Sequence, residues 1–156
     1  MKQFISTMKV AVNNRQNLMR IRKKRIASLV QSVVSAEGLH PDFDFEIGVS
    51  LVDDAQMRIL HKQYLHKDCS TDVMAFPIDR LCEIKGEACL FGEVIVSVER
   101  ATEVAKKYKN TPKKEVALYI IHGVLHLLGW RDKAAKQALK MRLRQEALLK
   151  DLYQGL

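Results

Sequence analysis

Two of the five histidines in this chain lie inside one of its most apolar segments, YIIHGVLHLLGWRD (residues 119–132). His122 and His126 are four residues apart, so on a helix both rings project from the same face, one turn from each other. Burial of polar rings among leucine, isoleucine and valine is unfavourable unless the ring nitrogens find partners. The spacing therefore favours a shared metal ion, because two ligands of one ion must project side by side.

Asp132 supplies a third ligand for such an ion. Gly129, near the predicted end of the helix, is suited to a left-handed conformation that reverses the chain. The reversal returns Asp132 toward the helix face that carries the histidines. Two imidazoles and one carboxylate leave the fourth position of a tetrahedral ion open to water, as in catalytic zinc sites. We therefore predict a metal site formed by His122, His126 and Asp132, with one Zn²⁺ per chain.

A purely structural interpretation of these residues remains open at this point. Both histidines would then be core residues bonded to the backbone, Gly123 would allow close helix packing, and Asp132 would cap the next helix. The segment also lacks the glutamate of H-E-x-x-H metalloproteases, because Gly123 occupies its position. A peptidase is therefore disfavoured.

The elements that must position this site mix strands and helices without regular alternation. Strict alternation of apolar residues predicts a strand over 43–51, from Phe43 onward, and three further strands are expected around 10–12, 73–76 and 90–98. Helical spacing predicts helices over 16–37, 53–64, 98–108, 112–128 and 134–153. We therefore expect an α+β fold: a single domain with a small mixed β-sheet packed against several helices, and the metal-site helix in the core.

Two helix starts and one helix face are predicted in more detail. Thr111 followed by Pro112 is a capping residue with proline at the first helical position, which opens the metal-site helix. Either Asp53 or Asp54 caps the helix over 53–64. That helix is expected to carry apolar residues on one face, namely Met57, Leu60 and Tyr64.

Composition indicates a globular protein of the cytoplasm. A chain of 156 residues is long enough for one domain with a full core, and no linker or repeat divides residues 1–156. No apolar run reaches the ~18 residues of a membrane span, and the N-terminal residues lack the apolar region of a signal peptide. An odd number of cysteines without C-x-x-C spacing is expected to be free thiols: Cys69, Cys82 and Cys89.

The net charge of +8 points to a polyanionic partner, with nucleic acid the first class to consider. The segment RIRKKR (residues 20–25) concentrates five basic residues within two helical turns. It is either a solvated helix face or a patch that contacts phosphates.

Three ordered segments resemble the motifs of a known family. HGVLHLLGW (residues 122–130) looks like the signature H-G-x-L-H-L-x-G-aromatic-D-H of the YbeY family of bacterial endoribonucleases, the rRNA maturation factors. STDVMAFP (residues 70–77) is similar to the family's T-D-V-L-S-F-P, and FGEVIVS (residues 91–97) to its L-G-D-I-V-I-S. Together these segments span residues 70–132.

The resemblance implies an α+β fold with a mixed sheet, a zinc ion, and cleavage of single-stranded RNA in rRNA processing and ribosome biogenesis. The family's first two zinc-binding histidines correspond to His122 and His126. Its third histidine falls on Asp132, and the aspartate before it falls on Arg131.

Two further positions depart from the family pattern. The arginine that precedes T-D-V in the family falls on Leu65, with Arg58 and Lys67 nearby. The serine of its S-F-P element is Ala75 here.

The first functional hypothesis is a metal-dependent endoribonuclease that binds single-stranded RNA from an rRNA precursor or the ribosome, with no DNA partner expected. No general base is identified. Three polar residues lie in or near the motifs, but each also has a structural interpretation: Asp72, Glu93 and His66. If Asp132 is not the third ligand, His66 is the first candidate to replace it. The alternatives are an rRNA- or ribosome-binding factor of the same fold with a structural or non-functional metal site, and a metal-dependent hydrolase of another substrate.

Overall fold

Four strands and five helices make up the parts of the chain that the computed structural model describes, which are residues 8–39, 45–78 and 89–156. The elements follow the order β1 (Met8–Asn14), α1 (Lys23–Ala36), β2 (Phe45–Val52), α2 (Asp54–Leu65), β3 (Val73–Pro77), β4 (Cys89–Ser97), α3 (Val98–Lys107), α4 (Pro112–Leu127) and α5 (Ala135–Leu152). This arrangement confirms the predicted α+β fold.

The sheet is mixed, with the strand order β1-β2-β4-β3. Strands β1, β2 and β4 are parallel, whereas β3 is antiparallel to β4. Parallel neighbours require a crossover connection, which α1 provides between β1 and β2. The antiparallel strand β3 forms one edge of the sheet. Helix α4 packs against β3 and its neighbour β4.

The main core lies between the sheet and the helices α1 and α4. Because successive side chains of a strand point to opposite faces, Ile47, Val49 and Leu51 of β2 and Val94 and Val96 of β4 all face these helices and are buried. Each fully buried large apolar side chain contributes roughly 1.5–3 kcal/mol. The metal-site helix α4 therefore lies in the core, as predicted, packed against β3 and β4.

The opposite face of the sheet is covered by α2. A smaller buried cluster forms there from Val52, Met57, Met74 and Ile95. The predicted apolar face of α2 is confirmed, because Met57 is buried and Leu60 packs against this cluster. The ring of Tyr64, although 55% exposed, lies on the same side, 5.4 Å from the ring of Phe76. His61, which the sequence did not assign to this face, is only 7% exposed. The helix therefore turns the Met57–His61 side toward the sheet.

Helix α1 begins at Lys23 rather than near residue 16, so this predicted boundary was wrong. The buried side chain of Gln16 holds the preceding segment: its Oε1 accepts hydrogen bonds from the backbone N–H groups of Leu18 (2.8 Å) and Met19 (3.0 Å). Its Nε2 donates to the carbonyl oxygen of Met19 (2.8 Å). These bonds compete with helical bonding, and Leu18 is left 56% exposed.

The predicted helix starts are confirmed. Asp53, not Asp54, caps α2, and its carboxylate accepts from the backbone N–H of Gln56 (2.8 Å). Thr111 caps α4 by accepting from the backbone N–H of Lys114 (3.3 Å), with Pro112 at the first helical position.

Some sequence predictions fall outside the described residues, namely those on Phe43, on Cys82 and on the thiol of Cys89. Cys69 is exposed and its thiol is free. Within the described ranges, none of the helices combines the length and apolar character needed to cross a bilayer.

Gly123 sets the distance between α4 and the sheet. A Cβ atom at this position would lie 2.4 Å from Cγ1 of Val94 and 3.3 Å from Cγ2 of Val73. Gly123 therefore allows the close helix packing considered above. It also leaves no room for the glutamate that metalloproteases place after the first histidine.

Gly123→Ala is expected to lower the free energy of unfolding by about 1–3 kcal/mol, because overpacking outweighs the helix propensity gained from alanine. Urea denaturation measures the change. The control is Gly48→Ala, where the added Cβ meets only the side chain of Glu93 at 3.3 Å, and a smaller effect is expected. Equal stability of Gly123→Ala and the parent would contradict this account of the packing.

Candidate metal centre

The C-terminal end of α4 reverses the chain as the sequence predicts. Gly129 has a left-handed conformation, with φ of 94°. Its N–H donates to the carbonyl of His126 (3.0 Å), and the N–H of Trp130 donates to the carbonyl of Leu125 (3.0 Å). These two bonds form a Schellman motif, which ends the helix and returns Asp132 to the histidine face.

Three ligand atoms converge beside this turn. Nε2 of His122 lies 3.1 Å from Nε2 of His126, and Oδ2 of Asp132 lies 3.6 Å and 3.4 Å from these two atoms. A tetrahedral ion with bonds of about 2.0–2.1 Å requires ligand atoms about 3.3–3.4 Å apart. The triangle formed by the three atoms fits that requirement, so these residues could hold a metal ion.

The other ring nitrogens fix the orientation of both imidazoles. Nδ1 of His126 lies 3.0 Å from the carbonyl oxygen of Trp130, and Nδ1 of His122 lies 2.8 Å from Oε1 of Gln145. Both oxygens are acceptors, so each Nδ1 carries a hydrogen, and in the neutral rings that bind a metal each Nε2 presents a lone pair. Two lone pairs and a carboxylate that face each other are best satisfied by a cation bound to all three.

The capping role considered for Asp132 is not observed. Helix α5 has Ala134 at its N-cap, and the backbone N–H of Ala134 donates to Oε1 of Gln137 (3.3 Å). Among the described residues, no backbone N–H of α5 donates to the Asp132 carboxylate. The side chain of Asp132 is 39% exposed, whereas those of His122 and His126 are 25% and 29% exposed. Asp132 therefore forms the open side of the cluster.

The chain reversal is tied to α1 and α5 through Glu37. Its carboxylate accepts from Nε1 of Trp130 (3.0 Å) and from Nε of Arg144 (2.6 Å). The side chain of Glu37 is only 12% exposed, and Arg144 is adjacent to Gln145 on α5. This network holds the Trp130 carbonyl and Gln145 in place behind the two histidines.

Gln145 was not found by sequence reasoning, and substitutions test its part in the site. Gln145→Ala is expected to weaken metal binding about 10–100-fold, because the His122 ring loses the acceptor that fixes its orientation. Competition with a zinc chelator measures the affinity. Gln145→Glu keeps an acceptor and is expected to keep the metal, as is Glu146→Ala at the exposed neighbouring position. An unchanged affinity in Gln145→Ala would contradict the role.

The metal cluster opens into a groove of about 500 Å³, here called the metal groove. Strand β3 forms one wall, and the remaining lining residues come from α2, α4 and the loops beside them: His61, Leu65, Thr71, Asp72, His122, Gly123, His126 and Asp132. Leu65 and Ala75, two departures from the family pattern, both line the metal groove. No lysine or arginine is found among its described lining residues.

The two basic residues near Leu65 point elsewhere. Nε of Arg58 donates to the carboxylate of Asp68 (2.8 Å), and this bond, together with the charges of Arg58 and Lys62, lowers the pKa of Asp68. Neither Arg58 nor Lys67 lines the metal groove. Neither side chain therefore takes the place of the family's arginine there.

The polar residues suggested by the motifs separate in space. Asp72 lines the metal groove, with its carboxylate accepting from the backbone N–H of Val73 (2.8 Å). Glu93 lies on the opposite face of the sheet and accepts from Oγ of Ser50 (3.2 Å). His66 is exposed and ends α2 with φ of 56°. Among the described residues, it does not belong to the cluster that could hold a metal ion.

One turn before His122 on α4, Tyr119 is a buried phenol. Burial raises the pKa of its hydroxyl above the usual range, and the nearby carboxylates of Glu115 and Asp72 act in the same direction. Tyr119 therefore stays protonated at neutral pH and does not serve as a base.

Known proteins resemble this chain over nearly its whole length. The family model described as Endoribonuclease YbeY matches residues 11–153. A protein of Alkaliphilus metalliredigens (strain QYMF) named endoribonuclease YbeY is 33% identical over 148 residues, covering 92% of this chain and 94% of the relative. Another of the same name, from Moorella thermoacetica (strain ATCC 39073 / JCM 9320), is 32% identical over 151 residues, covering 91% and 96%.

A solved structure shares the fold. The solution structure of a Thermotoga maritima protein matches with a TM-score of 0.60 and 22% sequence identity, covering 94% of this chain and 89% of that protein. The family match extends through all three motifs and the converging histidines. The chain therefore belongs to the YbeY family of endoribonucleases.

Proposed function

We propose that the protein is a metal-dependent endoribonuclease that cleaves single-stranded RNA during rRNA processing and ribosome biogenesis. Residues 1–156 act as one such domain in the cytoplasm. The observation that carries this proposal is the convergence of His122, His126 and Asp132 at the metal groove, with three ligand atoms within 4.8 Å of one another. Family membership supplies the substrate class, since the relatives are named endoribonucleases.

The metal is proposed to be zinc, one ion per chain. Two imidazole nitrogens and one carboxylate oxygen are ordinary zinc ligands, and three protein ligands leave a position for water. When bound, zinc supplies an acidified water and polarises a phosphoryl oxygen. Asp132 adds negative charge to the site, so the bound water is expected to be less acidic than with three histidines.

The RNA is proposed to contact basic residues outside the metal groove. Arg22, Lys23 and Lys24 are exposed at the start of α1, whereas Glu37, beyond the other end of this helix, bonds to Trp130 beside the metal centre. A helix of 14 residues is about 21 Å long. These cations are therefore suited to hold the phosphate backbone at a distance from the cleaved bond, without reading sequence.

One observation favours the alternative of an rRNA- or ribosome-binding factor whose metal site is structural or non-functional. The family's arginine is replaced by Leu65, and no cationic side chain occurs among the described residues that line the metal groove. Among these described residues, a phosphoryl group in the metal groove would meet no lysine or arginine to stabilise the charge of the transition state.

Metal analysis combined with RNA cleavage tests the proposal. Protein purified without chelator is analysed by mass spectrometry, then mixed with labelled single-stranded RNA, a duplex of the same sequence and single-stranded DNA. We expect one zinc per chain, cleavage of single-stranded RNA alone, and binding that weakens with salt by roughly 0.7 log units per neutralised phosphate. Salt-dependent RNA binding without cleavage would support the binding-factor alternative. If the protein neither binds nor cleaves RNA, both candidate functions are overturned.

A further inference from the structure

His61 is a third histidine of the metal groove, and the metal cluster does not use it. It lies on α2 and is 7% exposed, yet it lines the same groove as the metal cluster. The cluster that could hold a metal ion contains His122, His126 and Asp132 but not His61. The metal cluster therefore does not explain why a buried imidazole lies in the metal groove.

One hydrogen bond fixes the state of the His61 ring. Nδ1 lies 2.7 Å from the backbone carbonyl oxygen of Cys69. A carbonyl oxygen only accepts, so Nδ1 carries a hydrogen, and in the neutral ring Nε2 is then the nitrogen with the lone pair. The thiol of Cys69 lies farther from Nδ1, at 3.7 Å, and is the weaker partner.

Nε2 is the accessible nitrogen of the His61 ring. Among the described residues it has no hydrogen-bond partner, and it does not belong to the buried polar atoms that lack one. This atom therefore reaches solvent even though the residue is almost fully buried. His61 is one of the residues that line the metal groove, so an accessible Nε2 is available to a group bound there.

The carbonyl that orients the ring is itself anchored on both sides. Before Cys69, Asp68 accepts from Nε of Arg58 (2.8 Å). After it, Oγ of Ser70 donates to Oδ1 of Asp54 (2.6 Å), which also accepts from Oγ of Ser97 (2.8 Å). An imidazole whose Nδ1–H is held by a fixed acceptor has the arrangement of a positioned base.

We propose that His61 is the general base of RNA cleavage, a proposal that rests on the endoribonuclease function proposed above. Nε2 takes the proton from the hydroxyl group of the nucleophile while the oxygen of that group forms a bond to phosphorus. In the same step, the bond between phosphorus and the leaving oxygen breaks. The leaving oxygen takes a proton from solvent water, and His61 later returns its proton to solvent.

His61→Asn is the decisive variant, because the asparagine amide still donates to the Cys69 carbonyl but offers no base. We expect kcat to fall about 10²–10⁴-fold, with zinc content, RNA affinity and melting temperature unchanged. The matched control is His66→Asn, at an exposed left-handed position that asparagine tolerates, and it is expected to cleave at the parent rate.

Added imidazole gives a readout that a structural role would not move. His61→Ala is expected to regain cleavage when imidazole is added, relative to the parent at the same imidazole concentration. Cleavage by His61→Asn at the parent rate, loss of zinc or RNA binding in that variant, or no rescue by imidazole would each overturn the assignment. If the parent itself does not cleave RNA, the proposed function falls as well; an active parent with an active His61→Asn overturns only the role of His61.

Discussion

Zinc affinity is expected to fall by roughly 10²–10³-fold and RNA cleavage to be lost when His126 is replaced by alanine, while the protein stays folded. Nε2 of His126 lies 3.1 Å from Nε2 of His122 and 3.4 Å from Oδ2 of Asp132, so this ring is the central ligand of the three. If the ~10–16 kcal/mol of a typical zinc site is shared among four ligands, one ligand contributes about 2.5–4 kcal/mol, or roughly 10²–10³ in affinity. The side chain is 29% exposed, so its loss removes little of the core.

Three measurements check this result. Mass spectrometry under native conditions gives the zinc content, labelled single-stranded RNA gives the cleavage rate, and thermal unfolding in the presence of a chelator compares the folds without metal. His122→Ala is expected to behave in the same way, since its ring supplies the neighbouring ligand. If both variants bind zinc as tightly as the parent in competition with a chelator, His122 and His126 do not hold the metal.

Asp132→Asn is expected to weaken zinc binding at least about tenfold with little change in stability, because it removes the charge of the third ligand from an exposed site. Helix α5 should not suffer, since Ala134 and not Asp132 is its N-cap. Asp132→His is expected to keep the metal and to raise the cleavage rate, because a neutral third ligand leaves the bound water more acidic.

Chelator competition and RNA cleavage, measured on both Asp132 variants beside the parent, decide the point. The control is Lys133→Ala, the exposed neighbouring residue, which is expected to bind zinc as the parent does. Zinc held by Asp132→Asn as tightly as by the parent would take Asp132 out of the ligand set.

Features governed by short-range geometry were predictable from the chain itself. The pair His122 and His126 depends only on helical periodicity, and the reversal at Gly129 depends on the conformational freedom of one residue. Thr111 and Pro112 mark the start of α4 through local backbone bonding. Each of these predictions concerns residues within about one or two helical turns, where the backbone alone fixes the distances.

Features that depend on packing between distant segments emerged only in the folded molecule. Gln145 bonds to His122 across 23 residues of sequence, and no local pattern marks it. The four-residue spacing of Met57 and His61 was a signal for a shared face, yet which face of α2 is buried is decided by the strands it covers. Glu93 belongs to a matching motif but lies on the wrong side of the sheet, because neighbouring strand residues alternate between faces. The clustering of His122, His126 and Asp132 could thus be anticipated from helix geometry. The positions of Gln145 and His61 beside this cluster depend on how helices α5 and α2 dock.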